Sequence, residues 1–379
     1  MKKCIRAARA VTMNGSDNIT TDFAMIHDGN RILETGKWSS LKNGFSGEIT
    51  DLGDVTIAPG LINSHIHLEL SHLKDKTVQG KGFMDWVKSL LASPLYELEE
   101  KAVRNALQTM LADGTVFCAD ISTRNCAAIA SIMNEMGMGF YAFCEAIGLQ
   151  IPDAGAKFFP QKDFSTGWAA GAGHALYSTS AQLLQAVKKA DNEQKMPFSI
   201  HLAENVEEDE AISKGTGDFA ELLKGAGMFA SCDQKGLTPV QYADSLEILD
   251  DLTLAVHCVR VTDEDIETLA QRNVNVCLCP RSNEYIGEGR APWEKILSSG
   301  INTCLGTDSI ASNHDLSMWN ELEFFLKNVE SRLSAYEALA LITTNSAKAL
   351  NIDELYGSLE KGKKAVFATV PPRLDDLLF

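Results

Sequence analysis

Pro59-Gly60-Leu61-Ile62-Asn63-Ser64-His65-Ile66-His67 is the stretch on which the reading of this chain turns. Pro59-Gly60 marks a break, and Leu61 and Ile62 are apolar and β-compatible, so the segment reads as a short buried strand entered from a turn. Alternate residues of a strand point the same way, which projects His65 and His67 from one face. Two imidazoles side by side at a strand end can hold a divalent ion and leave positions open for ligands from elsewhere. The plain alternative is two loop histidines with no shared partner. The rest of the chain decides between them.

Downstream, β-rich runs alternate with helix-length amphipathic segments. The runs are Thr115–Ser122, Gly139–Ile147, His174–Thr179, Phe198–Glu204, Leu252–Val259, Val274–Pro280 and Asn302–Ser309, which with the first makes eight. Helical candidates between them include Leu98–Ala112, Ala127–Met136, Ala181–Glu193, Asp263–Gln271 and Trp293–Leu297. This alternation predicts an α/β fold, a (β/α)8 TIM barrel whose catalytic groups sit at the C-terminal ends of the strands. Two connections, Leu68–Ser93 and Asn205–Asp251, are oversized and read as walls or lids at the catalytic rim.

The flanks have a different texture. Before the barrel, Asp28-Gly29 between Phe23–Ile26 and Arg31–Leu33 reads as a hairpin. After a helix around Ala335–Leu350, Ala365–Val370 returns to β character. The expected division is a small β-sandwich domain from residues 1–57 and 357–379, and a metal-dependent barrel domain over 58–356.

Composition narrows the partners. The 379 residues are 45% hydrophobic and 22% charged, those of an ordinary globular protein. A formal charge of −17 argues against nucleic acid or an anionic membrane surface as the main partner, and leaves a small-molecule substrate. Neither a membrane-spanning run nor a signal-peptide core is evident. Of nine cysteines, six (Cys118, Cys144, Cys258, Cys277, Cys279, Cys304) lie in apolar β-like runs, where Cys serves as a small hydrophobe. The expectation is a reduced, cytoplasmic protein, with a homodimer as the prior for assembly.

Polar residues gather where a barrel mouth needs them. The first strand ends in His65 and His67, the fifth in His201-Leu202-Ala203-Glu204, the sixth in His257 and the eighth in Asp308. Each has a bland reading: a core histidine for His201 or His257, a solvated acid for Glu204, a helix N-cap for Asp308. Together they form a set of imidazoles and a carboxylate suited to a borderline divalent ion.

These segments resemble the signatures of the amidohydrolase superfamily, in its branch of aminohydrolases and chlorohydrolases acting on nucleosides, purines and triazines. The resemblance runs from about Leu52 to Lys363 and is carried by Pro59–His67, His201–Glu204, Val256-His257-Cys258 and Leu305-Gly306-Thr307-Asp308-Ser309. It implies metal ligation by His65, His67, His201 and Asp308, a proton shuttle at Glu204, and His257 orienting the attacking water. His174-Ala175-Leu176-Tyr177 resembles the branch's His-x-Pro-Tyr substrate motif, with Leu176 where Pro is usual. Phe83-Met84-Asp85-Trp86 resembles a rim segment whose Trp lines the pocket. Cys279-Pro280-Arg281-Ser282-Asn283 and Thr307–Asn313 resemble aminodeoxyfutalosine deaminases. The tail departs from the family pattern, with Val366 where Asp is usual.

The resemblance therefore implies a hydrolytic deaminase of an adenine nucleoside: aminodeoxyfutalosine first, then S-adenosylhomocysteine, methylthioadenosine and adenosine. One divalent metal per chain is expected, zinc first and ferrous iron second, because the strand ending near Ser178 offers no Lys or Glu to bridge a second ion. Catalysis falls to Glu204, His257 and Asp308, with Trp86, His174, Glu204 and Arg281 as substrate contacts, Arg281 meeting a substrate carboxylate. The alternatives are an amidase or chlorohydrolase on another heterocycle, and a barrel kept only as a scaffold.

Overall fold

The computed structural model describes residues 2–15, 19–95, 97–151, 158–160, 163–232 and 235–379. The histidines stand on eight parallel strands: Leu61–Ile66, Thr115–Ser122, Gly139–Ala146, Gly167–Gly173, Phe198–Leu202, Thr253–His257, Asn275–Leu278 and Thr303–Leu305. Each pairs with its sequence neighbour, as βαβ crossovers dictate. Helices cover the outside through one apolar stripe each. In Glu100–Ala112 the buried residues are Val103, Leu107 and Met110, the i, i+4, i+7 pattern of an amphipathic helix. In Ala181–Glu193 the buried stripe is Leu183, Leu184 and Val187, and the Ser180 side chain accepts the Leu183 N–H to start the helix.

The fourth strand is not the expected His174–Thr179 but the segment before it, Gly167–Gly173. Its sequence, Gly-Trp-Ala-Ala-Gly-Ala-Gly, has little β propensity, which is why pattern reading passes over it. Packing explains the composition. A Cβ on Gly173 would lie 2.2 Å from Leu184 Cδ2, so the covering helix approaches too closely for a side chain. His174 is left just past the strand, at the mouth.

The ladder runs from the first strand to the eighth without pairing the two to each other. Three other contacts close the barrel. The Ile62 and Leu305 N–H groups donate to the Ile342 and Leu341 carbonyls (both 2.9 Å), so the chain after the helix Ala335–Ala340 fills the gap. Buried Asn63 donates to Thr307 Oγ1 at 2.8 Å and accepts the Thr307 N–H at 3.1 Å. The Asp308 N–H donates to the His65 carbonyl at 3.0 Å. Gly306 permits this approach, since a Cβ there would lie 2.7 Å from His65 Cβ and 2.8 Å from its backbone nitrogen.

A second sheet takes the chain's two ends. Its order is Phe367–Thr369, Thr56–Pro59, Lys3–Ala10, Thr20–His27, Ile32–Lys37, with Glu48–Asp51 also on Lys3–Ala10. The hairpin falls where Asp28-Gly29 placed it, with Asp28 Oδ1 accepting the Asn30 and Arg31 N–H groups at 2.9 and 2.8 Å. Phe367–Thr369 pairs antiparallel with Thr56–Pro59, the strand that leads into the barrel.

The thiol expectation needs one correction. Cys126, opening the helix Cys126–Met136, is disulfide-bonded to Cys144 of the third strand, with Cα atoms 5.4 Å apart. A helix start packed against the neighbouring strand brings them together, a proximity that a spacing of 18 residues does not reveal. Cys118, Cys258, Cys277, Cys279 and Cys304 are buried free thiols, as small core residues should be. Among the described residues no helix is long and apolar enough to cross a membrane.

Gly306→Ala should wedge the eighth strand away from His65, against backbone that cannot yield. Overpacking of this kind costs about 1–3 kcal/mol. The expected result is a lower urea midpoint with an unchanged slope; an unaltered midpoint would show that the seam has slack.

Candidate active site

At the C-terminal ends of the strands, side-chain atoms of His65, His67, His201 and Asp308 come together. His67 Nε2 lies 3.2 Å from His65 Nε2 and 3.3 Å from His201 Nε2. Asp308 Oδ1 lies 3.6 Å from His65 Nε2 and 3.5 Å from His67 Nε2. A tetrahedral ion with bonds of 2.0–2.1 Å requires its ligand atoms to stand about 3.3–3.4 Å apart. The quoted spacings lie near that edge and the three histidine nitrogens form one close group, with Asp308 on the side of His65 and His67, so the residues fit a divalent metal. Their protonation fits too. Burial depresses all three imidazoles, His201 to about 4 and His67 well below its ordinary value, which keeps them neutral as ligands must be.

The surroundings aim each group. His201 Nδ1 faces the His174 carbonyl at 2.8 Å, which turns Nε2 toward the cluster. Asp308 Oδ2 accepts hydrogen bonds from Ser282 Oγ at 2.6 Å and Ser312 Oγ at 2.8 Å, leaving Oδ1 for the histidines. Burial pushes the Asp308 carboxyl upward, but His65, His67 and His257 around it prevail and hold it well below the usual range. His257 Nδ1 meets Asn283 Oδ1 at 3.0 Å, so its proton sits on that side and Nε2 is the acceptor.

Glu204 stands apart from this cluster. Its Oε1 lies 3.6 Å from His257 Nε2, on the far side of the imidazole from Asn283. Burial first, then the negative charges of Asp308, Glu208, Glu288 and Glu207, push its carboxyl well above the ordinary value. Two carboxyls within one mouth are thus driven in opposite directions, which separates an acid from a base.

The remaining expected residues divide. His174 lies against His201, ring centroids 5.3 Å apart, and burial lowers it to about 4. Trp86 sits on the rim helix Phe83–Leu91 and spends its indole N–H on the Ala311 carbonyl at 3.1 Å, tying that helix to the loop after the eighth strand. From Phe83 a chain of rings leads inward through Phe219 and Tyr177 to His174, with centroids 5.3, 4.8 and 5.8 Å apart. The two oversized connections therefore meet over the mouth. Arg281 is not at the mouth in the sense expected. Its guanidinium forms a two-bond fork with Asp315, both contacts 2.9 Å, and Glu321 lies 3.8 Å away. With its two-bond fork already engaged by Asp315, it braces the loops after strands seven and eight and does not present a free guanidinium to a substrate carboxylate.

Several site residues escape a reading of the chain. Glu145, late in the third strand, is buried with Oε1 lacking a hydrogen-bond partner among the described residues, 3.7 Å from His201 Nδ1. With His174 and His201 it forms a second close group of ligating atoms. A lone acid in the apolar run Phe143-Cys144-Glu145-Ala146 is the signal that would have found it. Ser282, Asn283 and Ser312 lie in segments that carry the resemblance, but their roles were not legible, since those lie in what they touch.

Comparison with known proteins follows the same lines. Residues 56–377 match the Amidohydrolase family. The 5-methylthioadenosine/S-adenosylhomocysteine deaminase of Desulfitobacterium hafniense is 28% identical, the alignment covering 96% of this chain and 84% of that protein. The 5'-deoxyadenosine deaminase of Methanosphaera stadtmanae is 27% identical over 81% of this chain and 72% of its own length. Among solved structures, Helicobacter pylori aminofutalosine deaminase bound to methylthio-coformycin superimposes with a TM-score of 0.85 at 23% identity, covering 97% of this chain and 91% of that one. A zinc-bound adenosine deaminase from Xanthomonas campestris gives 0.79 at 22% identity, covering 97% and 84%. At these identities the structural likeness speaks to the fold. The extent of the family match settles the membership: this chain is a hydrolase of the amidohydrolase family.

Proposed function

We propose that this protein is a metal-dependent hydrolytic deaminase of an N6-amino purine nucleoside, taking the amino group off the adenine ring as ammonia. The observation that carries the reading is the pairing of Glu204 with His257, a buried carboxyl whose protonated form burial favours, 3.6 Å from the imidazole Nε2. Amide hydrolysis can use one group that takes the proton of the water and returns it to the leaving nitrogen. Replacing a ring amine calls in addition for protonation of a ring nitrogen, and burial favours the protonated form of Glu204. Relatives that deaminate 5′-modified adenosines support the same substrate class.

His65, His67, His201 and Asp308 are the proposed ligands of one divalent ion, zinc first. Such an ion would act as a Lewis acid, lowering the pKa of a water molecule toward neutrality. The chain's own groups then divide the proton work. Asp308, ionised, takes a proton from the attacking water. His257, its Nδ1–H locked on Asn283, orients that water through Nε2. Glu204 donates to the ring nitrogen next to the amine-bearing carbon and makes that carbon electrophilic. Addition of the water oxygen leaves a tetrahedral carbon; the proton taken up by Asp308 passes to the amino nitrogen, Glu204 recovers one from the new hydroxyl, and the carbon–nitrogen bond breaks to release ammonia. His174 and Trp86 are proposed contacts to the bound nucleoside. Arg281 is not, so aminodeoxyfutalosine keeps no advantage from that residue over other 5′-modified adenosines.

Metal analysis of the purified protein should find about one divalent ion per chain, the stoichiometry of a mononuclear site, with most of it lost in His201→Ala. Two tightly held ions, or full retention in that variant, would contradict the ligand set.

Glu204→Gln keeps the shape but cannot pass a proton. Turnover should fall ~10²- to 10⁴-fold with metal content unchanged. The pH dependence has a definite sign. Burial raises the Glu204 carboxyl and so extends its protonated form to higher pH, and activity should decline as pH rises through the Glu204 value. At the acid end, His257 must stay neutral, so activity should fall as pH drops toward about 4. An alkaline limb that persists unchanged in Glu204→Gln would assign it to another group.

The substrate class is tested by ammonia release from adenosine, 5'-deoxyadenosine, methylthioadenosine, S-adenosylhomocysteine and aminodeoxyfutalosine with metal-replete protein. Turnover of at least one is expected. If none reacts while a chlorinated triazine does, the adenine reading gives way to the chlorohydrolase one.

A further inference from the structure

Glu208 has no place in the chemistry above, yet it is a fully buried carboxyl one helical turn beyond Glu204. The helix Val206–Lys214 begins there, capped by Asn205, whose side chain accepts the Glu208 N–H at 2.7 Å. In an ordinary capping box the acid at this third helical position would reach back to the N–H of the cap itself. Glu208 reaches further. Its Oε2 accepts the backbone N–H of Glu204 at 2.8 Å, and the Ala203 N–H is also directed at it.

What those two N–H groups belong to is the informative part. Ala203 has φ of +52°, a left-handed conformation that an L residue with a side chain rarely adopts. The turn it makes points the Glu204 carboxyl across to His257 instead of along the strand. On the other side, the Ala203 carbonyl accepts the Arg260 N–H at 2.8 Å, and the Leu202 carbonyl accepts the Cys258 N–H at 3.1 Å. The turn is thus held from the sixth strand through its carbonyls and from within its own helix through its N–H groups. A strained backbone persists only where its surroundings over-determine it.

We propose that Glu208 is the positioning residue of the Glu204 acid, gripping the N–H groups of the 203–204 turn so that Glu204 is presented to His257. This rests on the reading of Glu204 as the proton donor. The other oxygen of Glu208, Oε1, has no hydrogen-bond partner among the described residues. The role therefore asks for one acceptor oxygen at the right reach and does not ask for the second.

The test is a set of three variants alongside Glu204→Gln. Glu208→Gln keeps an acceptor at the same reach and should retain turnover within about threefold. Glu208→Met removes the acceptor, and Glu208→Asp withdraws it by one methylene. Both should lose about ten- to a hundredfold in kcat, the scale of leaving a buried N–H without its acceptor, with KM and metal content within about twofold of wild type. Should the methionine variant fail to fold, the aspartate variant carries the comparison. A folded, metal-replete Glu208→Asp with kcat within twofold of wild type overturns the proposal. So does an equal loss in Glu208→Gln, which would mark a fold requirement for the charge. The crystal structure of Glu208→Asp reads the turn without any substrate: Glu204 should leave its contact with His257. An unmoved Glu204 overturns the inference even where turnover falls. If Glu204→Gln retains turnover while Glu204 moves in Glu208→Asp, the positioning stands and it is the acid reading that fails.

Discussion

The barrel closes on a seam, and the seam runs through the site. Nothing in the ladder joins the first strand to the eighth. They are held by Asn63 against Thr307, by the Asp308 N–H on the His65 carbonyl, and by the absence of a side chain at Gly306. His65 and Asp308 are two of the four proposed ligands. The contact that completes the scaffold is therefore the one that sets the distance between them. An ion placed there would tie the two strands together once more, so metal affinity and barrel closure are coupled through the same few atoms.

A second constraint governs how side chains leave the strands. Ala203, His257, Cys258 and Asp308 all have positive φ, between +48° and +75°, and all follow or end barrel strands at the mouth. A regular strand end would send successive side chains alternately inward and outward. A left-handed residue breaks that alternation and turns two polar groups from one strand end toward the same space. The conformation costs energy at each position and is retained where hydrogen bonds over-determine it, as those from Cys258 and Arg260 to the fifth strand do. Strain here is the means by which Glu204 and His257 meet.

These constraints explain what could and could not be read from the chain. His65, His67, His201, Glu204, His257 and Asp308 were legible because a barrel puts every strand's C-terminal end at one mouth, so sequence position near a strand end is enough. The hairpin at Asp28-Gly29 was legible from its turn chemistry. The fourth strand was not, because Gly167–Gly173 is composed for close helix contact and not for β propensity. Arg281 was misassigned for a related reason. It does lie just past strand seven, but its partner Asp315 is 34 residues away, and whether a guanidinium is free or engaged is a property of tertiary contacts. The Cys126–Cys144 bond and the Asn63–Thr307 bridge share that character.

The engagement of Arg281 also bears on how selectivity is distributed. In the proposed reaction, Glu204, His257 and the His65-His67-His201-Asp308 cluster address only a ring nitrogen and the carbon beside it, features that every N6-amino purine nucleoside shares. Nothing there distinguishes one 5′ substituent from another. The rim is built separately, from Phe83–Leu91 and Asp218–Gly225, which meet through Phe83 and Phe219. It bears the carboxyls of Glu207 and Glu288, which with Glu204 form a mutually repelling set. The groups of the proposed reaction thus stand at strand ends, and the walls above them come from the two long connections.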